Sequence, residues 1–172
     1  MTDINTIKTG DTLLVSSKTE LALIIQGFEN CRWNHAAMFV WQGTILYVAE
    51  MVECGLVMTN FDEYIQGKSG LLVCKPKFEV DIKTLWEHID KQLGRVKYGF
   101  FNLCIAQPIK FLTNYRIWLG DVDNDNPKRL ICGEFVCREY HYLHPEYFTD
   151  WSRLDPSDIF KSTLFQQELF VR

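Results

Sequence analysis

The chain has 172 residues, 47% of them hydrophobic and 23% charged, enough apolar material for a packed core and too much for intrinsic disorder. A net charge of −4 argues against broad nucleic-acid binding, because the basic pairs Lys75/Lys77, Arg95/Lys97 and Lys128/Arg129 are too sparse to form a basic face. The length fits one domain over residues 1–172.

The opening MTDINTIKTGD has no basic start, apolar core or small-residue cleavage site, so no secretory signal is read there. Gly10-Asp11 is a turn before an apolar strand, Thr12 to Val15. Thr19 to Gln26 reads as a helical or buried run capped by Thr19. His35 to Val40 and Thr44 to Glu50 read as strands of a hairpin centred on Gln42-Gly43, with further strands at Gly55 to Thr59 and Leu71 to Lys75. Ile82, Leu85, Trp86, Ile89 and Leu93 recur at helical spacing over Asp81 to Leu93, and Gly94 suits the end of that helix. Phe100 to Leu119 is aromatic-rich and reads as a helix broken near Pro108, followed by a polar loop over Gly120 to Lys128. Cys132 to Leu143 reads as a helix that stops before Pro145, and Leu164 to Val171 as a last strand. Strands first and helices later predict an α+β fold, with an antiparallel sheet packed against helices. No window reaches the roughly 20 apolar residues of a spanning helix. The six cysteines, without a signal, read as reduced thiols, and a cytoplasmic location is expected; packaging in a phage or virus particle gives the same sequence pattern.

The sharpest local feature is Ile131-Cys132-Gly133-Glu134-Phe135-Val136, where the polar loop ends and a helix begins at the cysteine. A helix's first turn has unpaired N–H groups and a positive dipole end, which favour thiolate over thiol. The same amides can hold an oxyanion. Gly133 removes a side chain where a substrate would approach. Among the four histidines, His88 reads as part of a solvated helix face, and His141 and His144 lie too far along the cysteine's own helix. His35 opens an apolar strand, where a polar residue is unexpected without a job. A hairpin centred between Gln42 and Gly43 sets His35 opposite Glu50 and Ala37 opposite Val48. Glu50 could then orient the imidazole, with Glu53 or a backbone carbonyl as substitutes. The plainer alternatives are a buried structural thiol at Cys132, a satisfied strand histidine at His35 and a strand-end surface carboxylate at Glu50.

The order GDTLL, NHAAMFVW, YVAEM with GL four residues on, LGRVKYGF, ICGEFV and finally LDPSDIFKST resembles the permuted papain-like hydrolases of the NlpC-type superfamily, in its YiiX-like branch. The resemblance spans nearly the whole chain. It implies a circularly permuted papain-like fold, with histidine preceding cysteine, and a triad of Cys132, His35 and Glu50. It also maps a tyrosine near the site onto Tyr98, a residue that reads equally as aromatic core. Gly133 departs from the pattern, since relatives often carry Ser or Glu there, and Phe100 to Leu119 looks like an enlarged insert. The activity implied is a cysteine peptidase or amidase acting on a peptide, an isopeptide or a cell-wall peptide stem, with Gly133 and Tyr98 near the substrate and no cofactor. A thiol-dependent acyltransferase or lipid-ester hydrolase, with Phe100 to Leu119 lying on lipid, is the alternative, and a catalytically inactive binding protein on the same fold is another.

Two metal patterns are weaker. Cys137, His141 and His144 share a narrow arc of one helix, but no fourth ligand is evident and a solvated face is commoner. Asp121 to Asn126 imitates the start of a calcium loop without its glycine and glutamate, and reads as a polar turn.

Overall fold

The computed structural model describes residues 3–17, 31–66, 68, 70–98, 129–151 and 154–170. Among the described residues eight strands and four α-helices follow one another: β1 (Thr12–Ser16), β2 (His35–Gln42), β3 (Ile45–Val52), β4 (Gly55–Asn60), α1 (Phe61–Tyr64), β5 (Gly70–Pro76), α2 (Ile82–Gln92), β6 (Lys97–Tyr98), β7 (Arg129–Leu130), α3 (Cys132–Leu143), α4 (Pro156–Lys161) and β8 (Phe165–Phe170). The expected runs Thr19 to Gln26, Phe100 to Leu119 and Gly120 to Lys128 lie outside the described residues.

Six strands form one antiparallel sheet in the order β4-β3-β2-β1-β5-β8. Strands β1, β2 and β5 are apolar on both faces because both faces are covered. On one face, Leu14, Ala36, Met38, Val40, Ala49, Met51 and Leu72 pack with Leu85 and Ile89 of α2 and Phe135, Val136 and Tyr140 of α3. On the other, Leu13, Val15, Ala37, Phe39, Val48, Leu71 and Val73 pack with Phe61 and Tyr64 of α1. Phe61 meets both Phe39 and Phe170 edge-on, with centroids 5.4 Å apart in each case. Phe170 belongs to β8, at the far edge from β4. The sheet therefore curls until its two edges approach each other over this second core.

The α2 helix follows its sequence signals closely. Asp81 caps it by accepting the amides of Lys83 and Thr84 at 3.0 and 3.1 Å, and Gly94 follows its end at φ +68°. In α4, Asp155 and Asp158 exchange capping bonds and Pro156 holds the first turn, so the element arises from the Leu-Asp-Pro-Ser-Asp stretch itself.

The β2–β3 hairpin differs from its predicted register. Its loop is Gly43-Thr44, Gly43 at φ +61°, with Gln42 opposite Ile45. Ala37 therefore faces Glu50, and Phe39 faces Val48. The predicted turn was one residue early, because Gly43 takes the first loop position with its left-handed backbone. Loop length stays even, so every side chain keeps its predicted face, and His35 sits diagonal to Glu50 instead of opposite it.

Among the described residues no helix is long and apolar enough to cross a membrane.

Candidate active site

The start of β2 is fixed by Asn34. Its side chain accepts the Ser17 amide at 3.1 Å and donates to the Ser17 carbonyl at 3.3 Å, while its own amide bonds Val15. The next residue, His35, is thereby held at the mouth of the sheet. Its Nε2 lies 2.7 Å from Glu50 Oε2, with the two side chains 22% and 10% exposed. A diagonal cross-strand pair is farther apart at Cβ than a direct one, and the length of both side chains closes the gap.

Cys132 is the first residue of α3 and is buried. Glu134 reaches back to accept the Ile131 amide at 2.9 Å, which steadies this first turn. Phe39 donates its amide toward β1, to the Asp11 carbonyl at 2.9 Å. By alternation, Ala36 directs its amide the other way, toward β3. The β2–β3 ladder stops at Ala37–Glu50, so the Ala36 amide has no strand to pair with there. It donates to the Cys132 sulfur instead, as does the amide of Gly133. The sulfur thus occupies the notch where β2 and β3 part. That position lets a helix on one face of the sheet present a thiol to a histidine whose neighbours lie on the other.

The electrostatics follow from this placement. Burial raises the Cys132 thiol, but the His35 imidazole beside it, its hydrogen bond, and the amides of Ala36 and Gly133 bring it below the ordinary thiol value. Burial works against charge on His35 even though part of the ring reaches solvent. The sulfur first and Glu50 second outweigh it, and His35 is raised to about 10. The ring has one nitrogen on Glu50, which leaves Nδ1 to serve the sulfur. Imidazolium and thiolate stabilise each other, with the carboxylate behind them. By contrast, Cys137, one and a half turns along α3, is pushed well up by burial and nearby acids, and Cys74 is raised to about 12.

Of the residues expected at the site, His35, Glu50 and Cys132 come together. Tyr98 lies in β6, paired in parallel with Leu130, so its backbone runs beside the strand that leads into Cys132. Gly133 requires a correction. A Cβ there would stand 2.7 Å from the Leu154 carbonyl oxygen and 2.9 Å from Asp155 Cα. The missing side chain makes room for the chain entering α4, not for a substrate; the amide of Gly133 is what serves the sulfur. His88 is corrected too. It bonds the fully buried Glu139 at 2.6 Å instead of facing solvent. One residue escaped sequence reasoning: Tyr64, buried at the end of α1 beside Glu50. Its available signal was Asn60, which caps α1 by accepting the Asp62 amide at 2.9 Å, but a single turn leaves no periodicity to detect.

The metal pattern on α3 does not converge. His141 donates to the Phe148 carbonyl at 2.9 Å, His144 donates to the Glu79 carbonyl at 2.6 Å, and Cys137 is buried in the core. Among the described residues, no group of three or more His, Cys, Asp and Glu side chains is placed to hold a metal ion. The expected calcium-like turn lies outside the described residues.

No protein-family model matches the chain, and no curated protein matches it in sequence. In structure it is similar to the metalloprotein YiiX of Escherichia coli O157:H7, of the DUF1105 group, with a TM-score of 0.69 at 15% identity over 94% of this chain and 96% of that one. The likeness shows a shared YiiX-like fold. The described residues of this chain do not fit a metal of the kind that protein's name implies: His35 and Glu50 are turned on each other, and the Cys132 sulfur is surrounded by N–H donors.

Proposed function

We propose that the chain is a thiol hydrolase of the permuted papain-like kind, cleaving an amide bond through an acyl-enzyme on Cys132. The observation that carries the reading is the Cys132 sulfur, lowered by His35 and two backbone amides, with His35 backed by Glu50 at 2.7 Å. In this reading the thiolate attacks the substrate carbonyl carbon. The negative charge moves to oxygen, where the Cys132 amide at the open end of α3 and a neighbouring donor receive it. His35, protonated at Nδ1, passes that proton to the departing amine as the acyl–sulfur bond forms. A water then enters; His35 takes its proton, hydroxide attacks the thioester, and the acid leaves with Cys132 restored as thiolate beside the imidazolium. Glu50 holds the ring by Nε2 through both halves. The preferred substrate is a peptide, isopeptide or cell-wall peptide stem, following the sequence resemblance.

The test is selective alkylation. Iodoacetamide labelling at about pH 6, where ordinary thiols of value about 8.5 are scarcely ionised, should mark Cys132 well ahead of the exposed Cys54. His35→Ala should erase that lead. Equal labelling of the two thiols in the unaltered protein would remove the nucleophile and with it the hydrolase. Acyl-peptide and acyl-lipid electrophiles, compared against Cys132→Ala, then separate amidase from lipid-ester hydrolase.

A further inference from the structure

The chemistry proposed for Cys132 leaves one buried polar atom beside it without a task. Tyr64 ends α1, which follows β4 without a break, and β4 sets Val57 opposite Glu50. This connection folds the tyrosine back over the same face of the sheet as Ala37 and Val48, the Glu50 side. The residue is 4% exposed, and Lys68 Nζ stands 4.5 Å from the centre of its ring. Its hydroxyl faces the Glu50 carboxylate, with the Cys132 sulfur within electrostatic reach. It falls short of a fully formed hydrogen bond. A buried hydroxyl left in that state is destabilising, so the site holds a donor that a small movement would satisfy. Burial first, then the Glu50 charge, keeps the phenol protonated above its ordinary value, which makes Tyr64 a donor at all working pH values. Glu50 commits Oε2 to His35, leaving Oε1 to accept.

Resting on the thiol-hydrolase reading, we propose that Tyr64 is a positioning residue: its hydroxyl closes onto Glu50 Oε1 and keeps the carboxylate turned toward His35 while the acyl group is transferred. The residue acts through Glu50 and touches no reacting atom. A ring that merely excluded water would act without its hydroxyl, so Tyr64→Phe separates the two roles while preserving the packing.

The experiment uses the full chain and p-nitrophenyl acetate as acylating probe, with Tyr64→Phe, Glu50→Gln, the double variant and Cys132→Ala. Tyr64→Phe should slow Cys132-dependent acylation about tenfold, the worth of one hydrogen bond to a charged group. The double variant should be no slower than Glu50→Gln alone. The carbon-13 chemical shift of the Glu50 carboxyl supplies a readout that packing does not move: loss of the donor should displace that resonance in Tyr64→Phe. Wild-type acylation in Tyr64→Phe, losses that multiply in the double variant, or an unmoved Glu50 carboxyl resonance would each overturn the proposal. Acylation of Cys132→Ala at the unaltered rate would instead sink the hydrolase reading, and the carboxyl resonance would still report on Tyr64 and Glu50 by themselves.

Discussion

Among the described residues, two buried or half-buried histidine–glutamate pairs are of nearly equal length, and they sit in opposite circumstances. His35 and Glu50 lie 2.7 Å apart at the mouth of the sheet; His88 and Glu139 lie 2.6 Å apart between α2 and α3. Behind His35 stands a thiol. Among the described residues no thiol stands behind His88; Tyr142 stacks on its ring at 4.1 Å and 5°. Glu139 is wholly buried and accepts a second bond, from Gln92 Nε2 at 2.7 Å, and Gln92 also donates to the His88 carbonyl at 3.0 Å. The two bonds to Glu139 tie α2 to α3, and the Gln92–His88 bond braces α2 itself. The first pair ends in a thiol held by amides that no strand uses. A short imidazole–carboxylate contact is thus no mark of chemistry by itself. What the other side of the ring meets decides whether the pair clamps two helices or supports a thiolate.

The largest effects should separate the pairs cleanly. His35→Ala should reduce Cys132-dependent turnover on the order of a thousandfold or more while lowering the melting temperature less than His88→Ala does, because His35 and Glu50 keep part of their side chains in water. His88→Ala should do the reverse. It leaves the fully buried Glu139 carboxyl without its imidazole partner, at a cost of about 3 kcal/mol or more, and folded protein should retain its alkylation rate at Cys132. Chemical denaturation and iodoacetamide kinetics on both variants check this. Equal losses of stability in the two would mean that the two pairs are structural alike.

Much of the first pair was legible in the sequence and almost none of the second. A polar residue opening an apolar strand, a carboxylate on the next strand and a cysteine where a loop becomes a helix are local signals, and all three survive in the structure. Even the misplaced turn did no harm, because a loop of even length preserves faces whichever residues form it. His88–Glu139 joins residues 51 positions apart on two separate helices. Nothing in either helix's own periodicity says that their polar stripes meet, so His88 read as solvated. Tyr64 was hidden for a different reason: a four-residue helix offers too few turns for a pattern, and its importance depends on the sheet folding it over Glu50. The notch that receives the sulfur was also illegible, since it exists only because one strand pairing ends before the strand does.

Gly133 offers a smaller perturbation, aimed at the first pair alone. Gly133→Ala forces a methyl within 2.7 Å of the Leu154 carbonyl, and the atoms that must yield belong to backbone. Overpacking of this kind costs about 1–3 kcal/mol. The shift also moves the Gly133 amide away from the sulfur, so the Cys132 alkylation profile should slide toward higher pH. The His88–Glu139 clamp lies nearly two turns further along α3 and should be untouched, with Tyr142 still stacked. A stable Gly133→Ala protein with an unaltered thiol profile would show that the amide does not support the thiolate.

The smallest effect is the basic limb of the pH profile. His35 is raised in the folded protein to about 10 from an ordinary value near 6.5, because the sulfur and Glu50 favour its charged form. The stabilisation carried by the imidazolium is therefore complete below about pH 6.5 and is lost as the pH climbs through about 10. The Cys132 thiolate runs the other way: its folded value is depressed, so its contribution is present above the ordinary thiol range and fades as the pH falls through the lowered value. Between those limits the ion pair stands, and turnover should be flat across neutrality. Above about pH 10 His35 no longer carries the proton that the leaving amine requires, so amide cleavage should fall to half near that point while alkylation of the thiolate continues. Glu50→Gln should bring the basic limb down toward neutrality, since the carboxylate is one of the two charges that hold the proton on the ring. A limb that stays put in Glu50→Gln would mean that the sulfur alone sets the basicity of His35, and that Glu50 serves only to aim the ring.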